Sequence, residues 1–400
     1  MLKRAISNLM FGALFVTVSS SALQADDKVP TKPEKEISIV LTGQSLIIND
    51  IRAAGAPYRA IKPLLDADVV FTNFETTVRR PGDSIAQLDP VSGTYGPPQA
   101  LDGLKQLGFN LLSFANNHIY DLHEPGLLAS LEGAETRGFV HAGIGKNMTE
   151  ASAPGYLRTP NGTVALVSLA SGFLHGKGRA SDTKPGLNEL AISGGDVSGS
   201  GQPDAADAER NLAQIREARK HADLVIVSHH NHVYDRPFTD LMLERSPDRL
   251  RPPAWVKAWA RREIDAGADV IVMHGAPFMQ GVEIYRGKPI FYDTGNFIFQ
   301  VAPQYVDLFG ALAGESIVAK VTFRGRNLSG IAFQPIVLDP RPRGQGAAAE
   351  AARGLPAKAT KQQGDAILKR LADLSSELGT ALELGDGVAS YAPPAPEGAR

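Results

Sequence analysis

Four polar side chains that can bind a metal ion or move a proton follow the apolar segment at residues 111–115. They are Asn116, Asn117, His118 and Asp121. Imidazole titrates near neutral pH and suits proton transfer, whereas amide and carboxylate oxygens suit metal binding. The same residues could instead form a polar turn, with an Asn in the left-handed conformation and Asp121 capping a helix. The segment alone leaves both interpretations open.

Other apolar segments also end in side chains that can bind a metal ion. The residues at these ends are Gln44, Glu75, the group His229, His230 and His232, and His274. The chain contains no cysteine, so thiolate ligands and a cysteine nucleophile are excluded. Imidazole, amide and carboxylate together are typical of a Zn, Mn or Fe site that keeps one position open for water. The repeated pattern therefore favours a metal site.

The elements predicted to position these residues alternate between strand and helix. Buried strands are predicted at 37–42, 68–72, 111–114, 223–227 and 269–273, and helices at 99–108, 125–137, 206–222 and 255–266. This alternation is typical of an α/β fold with parallel strands. Because parallel strands bring their carboxyl ends to one edge of a sheet, we expect the polar side chains to converge there.

The composition is typical of a globular chain, and its charge balance gives no indication of general binding to nucleic acid or to a membrane surface. Of the 400 residues, 43% are hydrophobic, which is enough for a sizeable core. Lys plus Arg number 41 and Asp plus Glu number 43, so the formal net charge is −2 at pH 7. Nothing in this balance indicates binding to nucleic acid or to a membrane surface.

The N-terminal region has the pattern of a Sec-type signal peptide. Lys3 and Arg4 precede an apolar segment at 9–18, and small residues follow, with cleavage predicted after Ala22 or Ala25. The apolar segment is shorter than the roughly 20 residues that a spanning helix needs, so no stable membrane span is expected after cleavage. A periplasmic or secreted bacterial protein is predicted. Its parts are a signal peptide at 1–25, a linker at 26–36, a main domain at 37–340, a linker at 341–361, and a helix and tail at 362–400.

Several motifs together resemble the CapA (PgsA) poly-gamma-glutamate capsule proteins, which belong to the calcineurin-like metallophosphatase superfamily. The matching motifs lie at 70–75, 115–121, 223–230, 265–274, 280–290 and 295–297. The Asn-Asn-His-x-x-Asp motif and the Gly-Asn-Phe motif are specific to that family. The resemblance extends from about residue 37 to residue 337. It implies a four-layer α/β/β/α sandwich of the metallophosphatase type with a metal site at the strand ends.

The chain departs from the family pattern at positions that bind metal in the superfamily. Gln44 stands where the family has an Asp, and Pro277 stands where a second His is usual. Two divalent ions need several carboxylates, and Glu75 is the one carboxylate at a ligand-like position. We therefore expect a single ion, held by Glu75, Asn117, His230 and His274, with Gln44 as a further neutral ligand. Either His229 or His232 could replace a lost ligand.

The resemblance also implies roles for the remaining polar residues. His118 matches the superfamily histidine that protonates the leaving group, although it could instead support Asn117 through a hydrogen bond. Asp121 could orient His118 or cap the following helix. Apart from the resemblance, Arg79 and Arg80 follow the Glu75 motif and could bind a carboxylate or phosphate group of a substrate, or could simply be solvated loop cations. Asn116 and His232 are the other predicted substrate-binding residues.

The function predicted from these residues and from the resemblance is hydrolysis of an ester, amide or phosphoester. The resemblance implies gamma-glutamyl polymers as one substrate class, and the altered ligands are equally compatible with a different, small substrate. The expected partner is therefore a small acidic or a polymeric substrate. A metal-bound water would attack, and His118 would assist the leaving group. The alternative is a non-catalytic protein with a degenerate metal site that handles poly-gamma-glutamate or another capsule polymer.

Overall fold

The structure is a computed structural model that describes residues 35–86, 88, 93–172, 178–193, 201–301, 303–341 and 343–394. The predicted signal peptide, most of the linker at 26–36 and the last six residues of the tail lie outside the described residues.

The strands of the described chain include all five that the sequence predicts near the candidate site. They are β1 (Glu36–Leu46), β2 (Val69–Phe74), β3 (Thr77–Val78), β4 (Tyr95–Gly96), β5 (Leu111–Ser113), β6 (Val140–Ala142), β7 (Ile144–Gly145), β8 (Gly155–Thr159), β9 (Gly162–Ser171), β10 (Gly186–Leu187), β11 (Ile192–Ser193), β12 (Gln202–Pro203), β13 (Leu224–Asn231), β14 (Val270–His274), β15 (Val282–Tyr285), β16 (Lys288–Phe291), β17 (Asn296–Phe299), β18 (Glu315–Arg324), β19 (Asn327–Leu338), β20 (Pro356–Lys358), β21 (Glu383–Leu384) and β22 (Ala389–Tyr391).

The α-helices are α1 (Ala56–Arg59), α2 (Gln99–Leu107), α3 (His123–Thr136), α4 (Met148–Ser152), α5 (Ala205–His221), α6 (Phe238–Glu244), α7 (Ala254–Ala266), α8 (Pro303–Phe309), α9 (Ala347–Ala352) and α10 (Lys361–Glu377). Short 3₁₀ helices occur at Ile51–Ala54, Lys62–Leu64, Pro247–Leu250 and Ala311–Gly314.

Most of the strands belong to two sheets. The larger sheet has the order β21-β22-β19-β18-β1-β2-β5-β6, with β17 paired to β1 and β20 paired to β19. Its strands β1, β2, β5 and β6 are parallel, and β17 is parallel to β1. The second sheet has the order β15-β16-β14-β13-β9-β8, and its four central strands β16, β14, β13 and β9 are parallel.

Because side chains alternate along each strand, the apolar residues form three core clusters between the layers of sheets and helices. Ile39 on β1 and Phe71 on β2 face the second sheet and pack in one cluster with Leu166, Ile226 and Val272. The intervening residues face outward, because successive side chains of a strand point to opposite faces. On the outer face of the larger sheet, residues such as Val40 and Val70 pack with α2 and α3. On the outer face of the second sheet, Val225 and Ile271 pack with residues of α5 and α7, among them Ile215 and Trp259.

The molecule is therefore a four-layer α/β/β/α sandwich, which confirms the predicted fold class. The parallel strands of both sheets carry the candidate residues at their carboxyl ends, as the sequence predicts.

The stretch at 341–361 differs from the predicted linker. It contains α9 and β20, and β20 pairs antiparallel with β19 through Ile336 and Lys358. Ala351 and Leu355 are buried in the core cluster beneath the larger sheet. Part of the tail also joins the sheet, because β22 pairs with β19. The Ala, Gly and Pro content that predicts a linker is compatible with these short elements because tertiary packing, rather than local sequence, stabilises them.

Among the residues that the structure describes, none of the helices has the length and apolar character needed to cross a bilayer.

Candidate active site

The carboxyl ends of the two sheets meet at one place. On the larger sheet, Gln44 lies in register with Asn73 on β2 and with Asn296 on β17. On the second sheet, His230 at the end of β13 lies in register with His274 at the end of β14. A hydrogen bond from Asn73 Nδ2 to His230 Nδ1, 3.1 Å long, joins the two sheets directly.

Glu75 and His230 form the centre of the cluster. Glu75 lies just beyond β2, and its backbone N–H donates to the carbonyl of Ser45 at 3.0 Å. Glu75 Oε1 is 3.7 Å from His230 Nε2, and both side chains are buried. Burial raises the pKa of Glu75 to about 7, an effect that the charge of His118 opposes and that of Asp121 reinforces. Burial holds the pKa of His230 well below its usual value, and the neighbouring histidines act in the same direction.

His118 and Asp121 form a second pair in the loop after β5. His118 Nδ1 lies 2.8 Å from Asp121 Oδ2, and the backbone N–H of Thr94 donates to the same oxygen at 2.6 Å. Burial lowers the pKa of His118, but the charge and hydrogen bond of Asp121, together with the charge of Glu75, outweigh burial and raise it to about 9. Helix α3 has no side-chain cap, so Asp121 orients His118 and does not cap the helix.

Four of the five predicted metal ligands carry a buried side-chain atom that has no hydrogen-bond partner within the described chain. The atoms are Glu75 Oε2, Asn117 Oδ1, His230 Nε2 and His274 Nδ1. A buried polar atom without a partner is costly in free energy, by about 1–3 kcal/mol or more for a charged group. Such atoms therefore point to a missing ligand more strongly than the residue types do.

The fifth predicted ligand, Gln44, already has a protein partner. Its Oε1 accepts the backbone N–H of Gly275 at 3.1 Å. Gly275 has φ +117°, and a Cβ there would lie 2.3 Å from the carbonyl oxygen of Asn231, so glycine is required at this close approach. His274 Nε2 lies 3.3 Å from the carbonyl oxygen of Thr42, which leaves Nδ1 as the unpaired ring nitrogen. Burial lowers the pKa of His274 to about 4, and the Thr42 carbonyl opposes that shift.

The three histidines near the end of β13 have different environments. His229 faces the outer helices: it contacts Trp255 and lies 2.8 Å from Ser171 Oγ through Nε2. His232 is on the inner side, with its ring centroid 4.8 Å from that of His230, and it donates through Nε2 to the carbonyl of Gly275 at 2.9 Å. Burial lowers the pKa of both His229 and His232 to about 3. The structure thus brings His232, and not His229, beside His230.

The predicted substrate-binding arginines have local partners outside the cluster. Arg79 Nε donates to the carbonyl of Asp83 at 3.0 Å, and its guanidinium lies over the ring of Tyr95. Arg80 forms an ion pair with Glu132 on α3. Within the described part of the chain, neither arginine forms a hydrogen bond or an ion pair with Glu75 or His230.

Two residues of the site were absent from the predicted set. Asn73 links the sheets through His230, and Asp293 accepts the backbone N–H groups of Ala276 and Gly295 at 3.0 and 2.7 Å. Burial raises the pKa of Asp293 well above its usual value; the two backbone N–H groups oppose the shift and Glu75 adds to it. Asn73 directly precedes the Phe-Glu pair of its motif, and Asp293 lies two residues before the first residue of the Gly-Asn-Phe motif. Position relative to a motif could therefore have identified both.

The unpaired donor atoms are of types that bind metal ions, but few of them are charged. The structure gathers no group of three or more His, Cys, Asp or Glu that could hold a metal ion among its described residues. With the amide oxygen of Asn117 included, the unpaired atoms comprise one carboxylate, one amide and imidazole nitrogen. This set suits a single divalent transition ion better than a pair of ions, because one carboxylate cannot offset two divalent charges.

Comparison with known proteins identifies relatives along most of the chain. The family model described as "Bacterial capsule synthesis protein PGA_cap" matches residues 38–301. The uncharacterized protein y4sH of Sinorhizobium fredii is 28% identical, over 82% of this chain and 86% of its own length. The PGA biosynthesis protein CapA of Bacillus subtilis is 27% identical, over 68% of this chain and 66% of its own length.

A solved structure of a phosphatase from Mycoplasma pneumoniae is also similar. It covers 76% of this chain and 94% of its own, with 13% identity and a TM-score of 0.45. The family match spans more than half of the chain, including every strand end described above. The chain belongs to the PGA_cap family of bacterial capsule synthesis proteins.

Proposed function

We propose that this protein is a metal-dependent hydrolase that cleaves an ester, amide or phosphoester bond. The observation that carries the proposal is the set of buried, unpaired donor atoms on Glu75, Asn117 and His230, beside the hydrogen-bonded pair of His118 and Asp121. Unpaired atoms of three different ligand types are expected where an ion binds, because each would otherwise be buried at a loss of free energy.

Glu75, Asn117, His230 and His274 would hold the ion, and Gln44 would position the Gly275 backbone beside them. Zn, Mn and Fe all accept carboxylate, amide and imidazole ligands. When bound, such an ion supplies Lewis-acid activation of water and of the substrate oxygen.

His118 would donate the proton that the leaving group needs. Asp121 holds Nδ1, so the ring is fixed in orientation and its proton donor towards the substrate is Nε2. The Thr94 N–H holds Asp121 in turn, which limits the rotation of the pair. In other acid–base catalysts a carboxylate likewise holds the catalytic histidine ring in place, and the ring loses its correct orientation when that carboxylate is removed.

The substrate class is proposed from the relatives. The Bacillus subtilis relative is named as a PGA biosynthesis protein, and gamma-glutamyl polymers are therefore one candidate substrate. A small acidic molecule is another, because the altered ligands Gln44 and Pro277 distinguish this chain from the family pattern. We further propose a periplasmic or secreted location, which N-terminal sequencing of the exported protein would test by a first residue of Leu23 or Asp26.

A panel of ester, phosphoester and gamma-glutamyl substrates, assayed with Zn or Mn and with a chelator, tests the activity. Turnover that requires the ion supports the proposal. Turnover that a chelator leaves unchanged contradicts the metal-dependent mechanism.

A second candidate function is non-catalytic handling of poly-gamma-glutamate or another capsule polymer. The occupied Gln44 Oε1 favours it, because this oxygen already accepts the backbone N–H of Gly275. Binding of the polymer without turnover of any substrate in the panel would support this alternative.

A further inference from the structure

A chain of two buried asparagines, Asn116 and Asn73, connects the loop after β5 to His230. The orientation of Asn116 is fixed by the backbone on both sides. Its Oδ1 accepts the N–H of His118 at 3.1 Å, and its Nδ2 donates to the carbonyl of Phe74 at 2.8 Å. Reversing this amide would place Nδ2 against an N–H and Oδ1 against a carbonyl, so both contacts determine the same orientation.

The orientation of Asn116 determines that of Asn73. The second hydrogen of Asn116 Nδ2 points to Asn73 Oδ1, 3.1 Å away. Asn73 Oδ1 is therefore the acceptor in that contact, and Asn73 Nδ2 faces His230 Nδ1 at 3.1 Å. An amide nitrogen donates hydrogen bonds and does not accept them. His230 Nδ1 must consequently be the acceptor and cannot carry a proton.

We infer that the Asn116–Asn73 amide chain holds His230 in the tautomer protonated on Nε2, and that this placement of the proton limits the affinity of the site for a metal ion. An imidazole without a proton on Nδ1 carries its proton on Nε2, the atom that points towards Glu75. That proton has no acceptor at hydrogen-bond distance in the described chain, because Glu75 Oε1 is 3.7 Å away.

Metal binding through Nε2 needs the lone pair that the proton occupies. In metal sites the ring nitrogen that does not bind the ion usually donates its N–H to a carboxylate or carbonyl, and such a partner is worth about 10–100-fold in metal affinity. Here the partner of Nδ1 is the amide N–H of Asn73. If the proton moved from Nε2 to Nδ1, two N–H donors would face each other with no acceptor between them. The tautomer follows from the hydrogen bonds alone, whereas its consequence for metal affinity rests on the proposed function.

Asn73→Asp is the variant that tests this consequence. A carboxylate at position 73 still accepts from Asn116 Nδ2, and its other oxygen can accept a proton from His230 Nδ1. Nε2 then presents its lone pair. We expect the variant to bind Zn or Mn about 10–100-fold more tightly than the wild type, as measured by titration calorimetry. The same comparison in a His230→Gln background is the control, and there the substitution should give no gain.

The tautomer is measured independently in the metal-free wild-type protein by ¹⁵N–¹H correlation spectra of the histidine rings. Protonated Nε2 and unprotonated Nδ1 of His230 support the inference, and a proton on Nδ1 overturns it. His229, which Asn73 does not contact, serves as an internal reference. Equal metal affinity of the wild type and a folded Asn73→Asp variant also overturns the limit on affinity. Absence of binding by either folded protein would refute the proposed metal site, and the measured tautomer would still decide the assignment of the proton.

Discussion

At the scale of single residues, a hydrogen bond to a carboxylate distinguishes His118 from the other histidines of the site. His118 lies 2.8 Å from Asp121, and its pKa is raised to about 9 because that carboxylate outweighs burial. His229 is fully buried and contacts Ser171 instead, and burial lowers its pKa to about 3. His118 is therefore the histidine equipped to hold a proton for a leaving group.

We predict that His118→Ala lowers kcat by about 10²–10⁴-fold on a substrate that the protein hydrolyses, the usual contribution of a positioned acid. Asp121→Asn should lower kcat less, because the ring remains but loses its orienting carboxylate. His221→Ala is the control: His221 is exposed on α5 and contacts Glu217. Wild-type kcat in a folded His118→Ala variant would exclude the acid role.

The residue types at the site were predictable from the sequence, but their hydrogen bonds were not. Gln44, Glu75, Asn116, His230 and His274 all lie at or just beyond the carboxyl ends of buried strands, and strand ends can be recognised from apolar segments. That Gln44 accepts from Gly275, or that Asn73 donates to His230, depends on contacts between residues 231 and 157 positions apart. No local pattern encodes such contacts.

At the scale of elements, Asp269 holds the amino-terminal end of β14 in place. Its buried carboxylate contacts Arg219 of α5, Lys288 of β16 and Arg326, and it accepts the backbone N–H of Val225. Lys288 is thus part of the framework of the second sheet. The ion pairs tie a helix and strands of the second sheet together at the end opposite the candidate site.

We predict that Asp269→Asn lowers the free energy of unfolding by about 3–5 kcal/mol, because removing one partner of a buried ion pair leaves the others uncompensated. Denaturant unfolding measures the change. Asp386→Asn, which removes a carboxylate exposed to solvent beside Lys361, is the matched control and should change the free energy by less than about 0.5 kcal/mol. Similar effects of the two substitutions would contradict the framework role.

Glu263 on α7 gives a second prediction at this scale. Burial raises the pKa of Glu263 well above its usual value of 4.5, with Trp259 and Arg262 opposing the shift. The folded state binds this proton more tightly than the unfolded state does. The resulting contribution to the free energy of unfolding is fully present below pH 4.5 and is lost as the pH rises towards the folded-state pKa. The neutral variant Glu263→Gln cannot ionise. Its free energy of unfolding, relative to wild type, should therefore increase as pH rises from about 4 to 8.

The control for Glu263 is Glu217→Gln. Hydrogen bonds from Lys220 and His221 lower the pKa of this exposed glutamate, so its substitution should not produce a relative gain at higher pH. If the free energy of unfolding of Glu263→Gln and of wild type changed with pH in the same way, ionisation of Glu263 would not destabilise the fold and the prediction would be wrong.

The elements themselves were predictable to different degrees. The strands β1, β2, β5, β13 and β14 are buried along their length, and their apolar segments identify them. Strand β20 is short and largely exposed, and it depends on pairing with β19. Segments of that kind carry no periodic signal, so composition alone predicted a linker there.

At the scale of the whole molecule, the sandwich of two sheets creates the site. Each sheet alone would present a few polar residues at its edge, but their packing face to face brings Asn73 of one sheet against His230 of the other. The alternation of strands and helices predicted an α/β fold with parallel strands, whereas the four-layer arrangement was predicted from the resemblance of the motifs to one family. The number of ions could be argued only from charge, since Gln44 and Pro277 replace expected ligands.

The metal content of the purified protein, measured by mass spectrometry after exchange into Zn, Mn or Fe, tests the proposed site most directly. We predict one ion per chain, with binding strongly reduced in Glu75→Gln because Glu75 is the carboxylate among the unpaired donors. At a free ion concentration of 100 times Kd, the wild type should also gain about 2.7 kcal/mol in free energy of unfolding. Two ions per chain, or none after supplementation, would contradict the single-ion site.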